Sequence, residues 1–299
     1  MSDYIKIPFI SLLLIITNLA KGRVQHINAP SAQEQIETIA SQINAQVGVS
    51  ALLLETGDTV NYHSDQKYPM QSTYKFPIAM AVLHQVELGK LSLNKKIYVK
   101  PSDIVPTGVS PIRTHYPKGV SLTIMQLLHY NVSESDGTAC DVLLNVLGGC
   151  EQVNRYVHNL GIADIAISTT EMTQTSDELV QYRNWVKPTA MLQLLKIFYA
   201  IQALNSRNRN ILLNLMIHSV PGSKRLKDGV PANTIVAHKP GTSGTWNGLT
   251  RATNDIGIIT LPNGKHLLIA VFVSDAYAST EKRESTIAKI AGVLYDNWK

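Results

Sequence analysis

Cysteine is scarce in this chain, with only Cys140 and Cys150 among 299 residues, so a disulfide scaffold is excluded. If the segment between them is helical as far as Gly148-Gly149, the two lie ~15 Å apart and cannot bridge. The nine histidines are scattered with no His-x-x-x-His spacing, so no metal site is expected. Lysine and arginine form no long block, and a formal charge of +5 is small for this length. A nucleic-acid partner is therefore not expected. Repeats and a polar linker are also missing. Beyond the first 20 residues no apolar run is long enough to cross a bilayer, so no stable membrane association is expected. At the start, Ile7 to Ile16 is apolar but too short to span, and it reads as the core of a signal peptide over residues 1–20. That predicts secretion to the periplasm. A buried N-terminal helix is the alternative reading.

The rest of the chain has the composition of an ordinary globular protein, with 44% hydrophobic and 16% charged residues. Ile36, Ile39 and Ile43 recur at helical spacing. Val47–Leu54 and Thr59–Tyr62 read as a hairpin around Thr56-Gly57-Asp58. Helical patterns then dominate from Ser72 to about Ile217. Strand character returns at Thr234–Lys239, Asn254–Leu261 and Leu267–Ser274, and Glu281–Trp298 closes the chain as an amphipathic helix. This order predicts an α/β (α+β) fold of two lobes. One lobe (25–67 and 222–299) is a five-stranded antiparallel sheet with flanking helices, and the other (68–221) is all helical. The site is expected between them.

The chemistry concentrates at Ser72-Thr73-Tyr74-Lys75, followed by the apolar run Phe76–Leu83. Residues three apart share a helix face, so Lys75 Nζ can reach Ser72 Oγ. A lysine in an apolar setting can lose its proton near neutral pH and activate the hydroxyl. A helix N-terminus there would favour an oxyanion. Two other Ser-x-x-Lys matches lack this context: Ser64 sits in a polar turn, and Ser92 in a lysine-rich connection after a helix stop. Three further stretches join the first, namely Ser135-Asp136-Gly137, Glu171 in an irregular polar segment, and Lys239-Pro240-Gly241-Thr242-Ser243-Gly244.

Together these motifs resemble the class A serine β-lactamases, whose Ser-x-x-Lys, Ser-Asp-Asn and Lys-Thr-Gly set they follow. The resemblance runs from about residue 30 to the C-terminus. It is closest to the extended-spectrum PER/VEB-like branch, through Gln71, Val180-Gln181-Tyr182-Arg183-Asn184-Trp185 and Ala237-His238-Lys239. It implies that Ser72 is the acylated nucleophile, with Lys75 as its proton partner and Ser135 as the relay to the lactam nitrogen. Glu171 would activate the deacylating water, and the backbone N–H groups of Ser72 and Thr242 would form the oxyanion hole. Lys239, Gly241, Thr242, Ser243 and Gly137 would line the substrate site. Arg225 would replace the basic residue that relatives carry where Thr253 or Asn254 stands. The implied enzyme is a monomer that needs no cofactor and hydrolyses penicillins and cephalosporins, oxyimino-cephalosporins among them.

The departures are specific. Gly137 replaces the motif's asparagine, and Pro240 its threonine. Thr169 and Asn184 stand where an Arg–Asp pair usually pins the Glu171 loop, which predicts a loop that folds differently or moves more. Thr175 stands where an asparagine usually helps hold the water. Two rival readings share the serine and lysine: a penicillin-binding D-alanyl-D-alanine peptidase or esterase, and a non-catalytic β-lactam sensor. Glu171 argues against the first, and the want of membrane helices against the second.

Overall fold

Helix α1 (Ala32–Ser41) begins at a capping box, where the Ser31 hydroxyl accepts from Glu34 N and the Glu34 carboxylate accepts from Ser31 N. Strands β1 (Gln46–Leu53) and β2 (Thr59–Tyr62) follow as a hairpin. The chain then leaves the sheet through β3 (Tyr68–Pro69), a 3₁₀ turn (Gln71–Tyr74) and α2 (Lys75–Glu87). The helical region continues with β4 (Lys96–Val99), α3 (Pro111–His115), β5 (Val120–Thr123), α4 (Ile124–Val132), α5 (Gly137–Leu147) and α6 (Cys150–Asn159). After β6 (Ile165–Ala166), α7 (Glu171–Gln174) and β7 (Trp185–Val186) come α8 (Pro188–Tyr199) and α9 (Ser206–Ile217). The chain returns as β8 (Val236–Thr242), β9 (Thr245–Trp246), β10 (Leu249–Thr260), β11 (His266–Ala276) and α10 (Thr280–Trp298).

This computed structural model describes residue 1 and residues 29–177, 179–200 and 203–299. The expected signal peptide at 1–20 lies, apart from Met1, outside the described residues. Ser31–Lys299 forms one compact unit.

The protein has the two-lobed α/β fold. Its sheet runs β2-β1-β11-β10-β8, antiparallel throughout, with two-residue β9 added to β10. Successive residues of a strand face opposite sides, and here both sides are covered. Leu267, Ile269, Val271 and Val273 pack with α1 and α10, while Leu268, Ala270 and Phe272 join the helical core. Helix α2 is buried from Lys75 to Leu83, as expected of a helix apolar on every face.

Three expectations need adjusting. Strand β8 runs past Lys239 through Pro240 to Thr242. This is tolerable because β8 is an edge strand, where a missing N–H costs the ladder least. Strand β10 begins at Leu249, five residues before the expected Asn254. The α-helix after Ser72 begins only at Lys75, with the serine in the 3₁₀ turn ahead of it. Both cysteines are free thiols. Among the described residues no helix is long and apolar enough to cross a membrane.

Candidate active site

The tight turn before α2 presents Ser72. Gln71 holds a left-handed backbone (φ 46°), uncommon for a residue with a Cβ, and its Nε2 donates to Gln181 Oε1 at 2.6 Å. Lys75 Nζ donates to Ser72 Oγ at 2.9 Å and to the Ser135 carbonyl at 2.8 Å. It also lies 2.9 Å from Glu171 Oε1. This overturns the expectation of a lysine that sheds its proton. Burial is the largest influence and favours the neutral amine, but the Glu171 carboxylate reverses it, helped by Cys140 and Asp136. The Lys75 pKa ends above the ordinary lysine value. The apolar local sequence predicts the opposite because the reversing charge sits 96 positions away.

Lys239 is the lysine pushed well down, first by burial and then by the charge of Lys75. Its Nζ donates to Ser135 Oγ at 2.8 Å and to the Pro240 carbonyl at 3.1 Å. Ser135 thus stands between the two lysines, on a left-handed backbone with φ 58°. Asp136 caps α5 behind it, accepting from Ala139 N and Ile112 N at 2.8 Å each.

The edge strand is pressed against the serine turn. A Cβ on Gly241 would come 2.7 Å from the Met70 carbonyl and 3.1 Å from Ser72 N, so the contact is possible only for glycine. Asn254 ties down the same turn, its Nδ2 donating to the Pro69 carbonyl at 2.8 Å and the Met70 carbonyl at 3.1 Å. Arg225 is buried behind β8. It donates from Nη2 to Thr242 Oγ1 at 2.6 Å and from Nη1 to the carbonyls of Gly241 and Asn254, while Nε meets Glu284 Oε1 at 3.1 Å. It reaches the site through Thr242. Thr253 is occupied by Arg283, whose Nε donates to its hydroxyl at 2.9 Å.

Glu171 opens α7, and Asp141 on α5 anchors it. The Asp141 carboxylate accepts from Glu171 N and Met172 N, both at 2.7 Å. Burial raises the Asp141 pKa to about 6 despite those bonds, with the Glu171 charge adding to the rise. The loop also has a neutral clasp. Asn184, fully buried, accepts from Ser168 N at 2.7 Å and Thr169 N at 3.0 Å, and donates to the Thr169 carbonyl at 2.8 Å. Where the sequence predicts a loop that folds differently or moves more without the charged pair, the structure shows a different fastening, an amide bonded to backbone. At its far end Tyr182 donates to Asp275 and accepts from Arg251 Nη1 at 3.2 Å, joining the loop to β11 and β10.

These elements surround a cavity of about 530 Å³. Ser72, Lys75, Ser135, Glu171, Thr242 and Ser243 line it. Lys239, Gly241, Gly137 and Arg225 are buried behind its wall. Asp141 and Gln174 give no signal in the sequence, and Asn184 and Asn254 show there only as replacements for charged residues, because one polar residue in a helix, loop or strand carries no periodic signature.

A serine hydroxyl, an ammonium and a carboxylate in one hydrogen-bonded row at a cavity define a serine hydrolase. The family to which this one belongs follows from comparison with known proteins. The profile of the β-lactamase enzyme family matches residues 31–298. The chain is 42% identical over 264 residues to β-lactamase VEB-1 of Pseudomonas aeruginosa, covering 88% of each chain. It is 39% identical over 268 residues to extended-spectrum β-lactamase PER-1 of the same organism, covering 89% of this chain and 87% of that one. The crystal structure of a β-lactamase from Chitinophaga pinensis superposes with a TM-score of 0.87 at 43% identity, over 89% of this chain and 98% of that one. The chain belongs to the β-lactamase family, as a class A serine enzyme related to the PER- and VEB-like extended-spectrum lactamases. It hydrolyses the β-lactam ring and so confers antibiotic resistance, which sets aside the peptidase and sensor readings.

Proposed function

We propose that Ser72 Oγ attacks the lactam carbonyl, with the backbone N–H groups of Ser72 and Thr242 receiving the oxyanion. The hydrogen-bonded row Ser72–Lys75–Glu171 carries this reading. Lys75, charged at rest, orients the hydroxyl, and the serine proton enters the Lys75–Glu171 pair as a unit. The ring C–N bond breaks as Ser135 gives its proton to the nitrogen and takes up the one held by the Lys75–Glu171 pair, which leaves Glu171 a carboxylate again. Its hydroxyl, held by Lys239, is placed for this. Glu171 then takes a proton from the water that cleaves the ester. Lys239, Ser243 and Thr242, the last backed by Arg225, bind the substrate carboxylate, while Gly241 and Gly137 leave backbone and space for the acylamino group.

The substrate range includes oxyimino-cephalosporins, supported by the missing side chain at Gly137 and by kinship with an enzyme described as extended-spectrum. The enzyme works as a periplasmic monomer, delivered by residues 1–20, without nucleic acid, and its lobes divide near residues 67 and 221. Glu171→Ala mixed with a penicillin should accumulate a covalent adduct on intact-protein mass spectrometry, and Ser72→Ala should form none. Equal adduct levels in parent and Glu171→Ala would refute the base assignment. On the parent, an oxyimino-cephalosporin kcat/KM more than about a thousandfold below the penicillin value, roughly 4 kcal/mol, would refute the range.

A further inference from the structure

Gln174 lines the same cavity as Ser72 and Glu171. Its Nε2 and Oε1 are both shielded from bulk solvent, and neither has a hydrogen-bond partner among the described residues. A carboxamide offers two donors and an acceptor, and a buried one is normally satisfied by protein or by ordered water. Gln174 follows Glu171 by three positions on α7, so the two side chains share a face. Thr175, next in sequence, spends its hydroxyl proton on the Met172 carbonyl at 2.7 Å. One Glu171 oxygen is engaged by Lys75, and a Cβ at Gly137 would lie 3.5 Å from the other. Glycine at 137 therefore leaves the neighbourhood of that oxygen open.

We propose that the Gln174 carboxamide holds and orients the deacylating water beside Glu171. The inference rests on the reading above that Glu171 is the base. The amide carbonyl accepts one water proton, Glu171 takes the other as the bond to the ester carbon forms, and the water lone pair is left aimed at that carbon. Thr175 has no hydroxyl proton left to offer, whereas the Gln174 amide has both its acceptor and its donors uncommitted among the described residues.

The test uses Gln174→Met, which keeps length and bulk but neither donates nor accepts strongly, and Gln174→Leu as a second apolar variant. Acylation by a penicillin is followed by stopped flow, and decay of the adduct by intact-protein mass spectrometry. Both variants should acylate within about twofold of the parent and deacylate about a hundredfold more slowly, with unchanged melting temperature. Parental deacylation would overturn the proposal. A defect in acylation or substrate binding without a deacylation defect would also overturn it, assigning the amide to the substrate's acylamino group. So would parallel losses in both steps with lowered melting in both variants, which would mark a packing role. Glu171→Gln run alongside separates the two readings: if it too deacylates normally, the base assignment has failed, and the Gln174 proposal with it. If it stalls while Gln174→Met does not, only the Gln174 proposal has failed.

Discussion

Asp141→Asn tests whether a buried carboxylate holds the base-bearing turn at an electrostatic cost. In the folded protein Asp141 titrates at about 6 because it is buried and faces Glu171, against about 3.9 in an unfolded chain. The folded state therefore binds this proton more tightly. The stability linked to it is fully present below about pH 4 and is lost as pH rises through 6. Two pH units are worth roughly 3 kcal/mol, of which about 2 kcal/mol is regained by pH 4.5. Asparagine cannot titrate, so the parent should gain about 2 kcal/mol over Asp141→Asn between pH 7.5 and 4.5. At pH 7.5 the variant sheds the buried charge but can accept only one of the two N–H bonds at 2.7 Å. A charge-assisted bond is worth about 1.5–3 kcal/mol, so the two effects should nearly cancel there. Urea unfolding of both proteins at the two pH values reads the difference directly. A parent-minus-variant difference that is the same at both pH values would refute the reasoning. Kinetically, protonation costs the parent one acceptor at α7, so its deacylation should fall below pH 6, while that of the variant should be slower and flatter.

Asn184→Ala strands the backbone N–H groups of Ser168 and Thr169 and should cost about 1–3 kcal/mol, with deacylation slowed more than acylation. Unaltered melting and adduct decay would show that the clasp is not holding the loop. Gly241→Ala would set a methyl 2.7 Å from the Met70 carbonyl. The overpacking should cost about 1–3 kcal/mol, with acylation falling at least about a hundredfold as β8 moves off the Ser72 turn. Parental acylation by a penicillin would refute the close-contact account.

The large outlines of this protein are legible in its sequence for definite reasons. Apolar runs rich in valine and isoleucine mark β1, β10 and β11, and the apolar run after Ser72 marks a buried helix. Four short motifs carry most of the groups proposed to react. Strand ends were less legible, because Pro240 and the polar stretch 249–253 lack strand character on their own. They are strand only through their partners, Pro240 opposite Asp255 of β10 and 249–253 opposite β11 and β9. The protonation of Lys75 could not be read from its neighbours either, since it is decided by Glu171 across the fold. Asn184 shows the same limit. Its position is where a charge is expected, yet its backbone partners, 15 and 16 residues earlier in the chain, become visible only once the loop has closed.

Strand β8 is an open border of the sheet, and such borders invite foreign strands to add on and aggregate. Here proline at 240 removes a donor from the border, and the Ser72 turn covers it at Gly241. Within β8 only Thr242 is exposed, with Ser243 and Gly244 open just beyond it before the chain enters β9. An incoming peptide strand needs several consecutive rungs, but three residues provide footing for little more than one amide. The same border that would otherwise recruit polypeptide is thus trimmed to the size of a small cyclic amide, which joins resistance to self-association with selection against peptide ligands in a single piece of backbone.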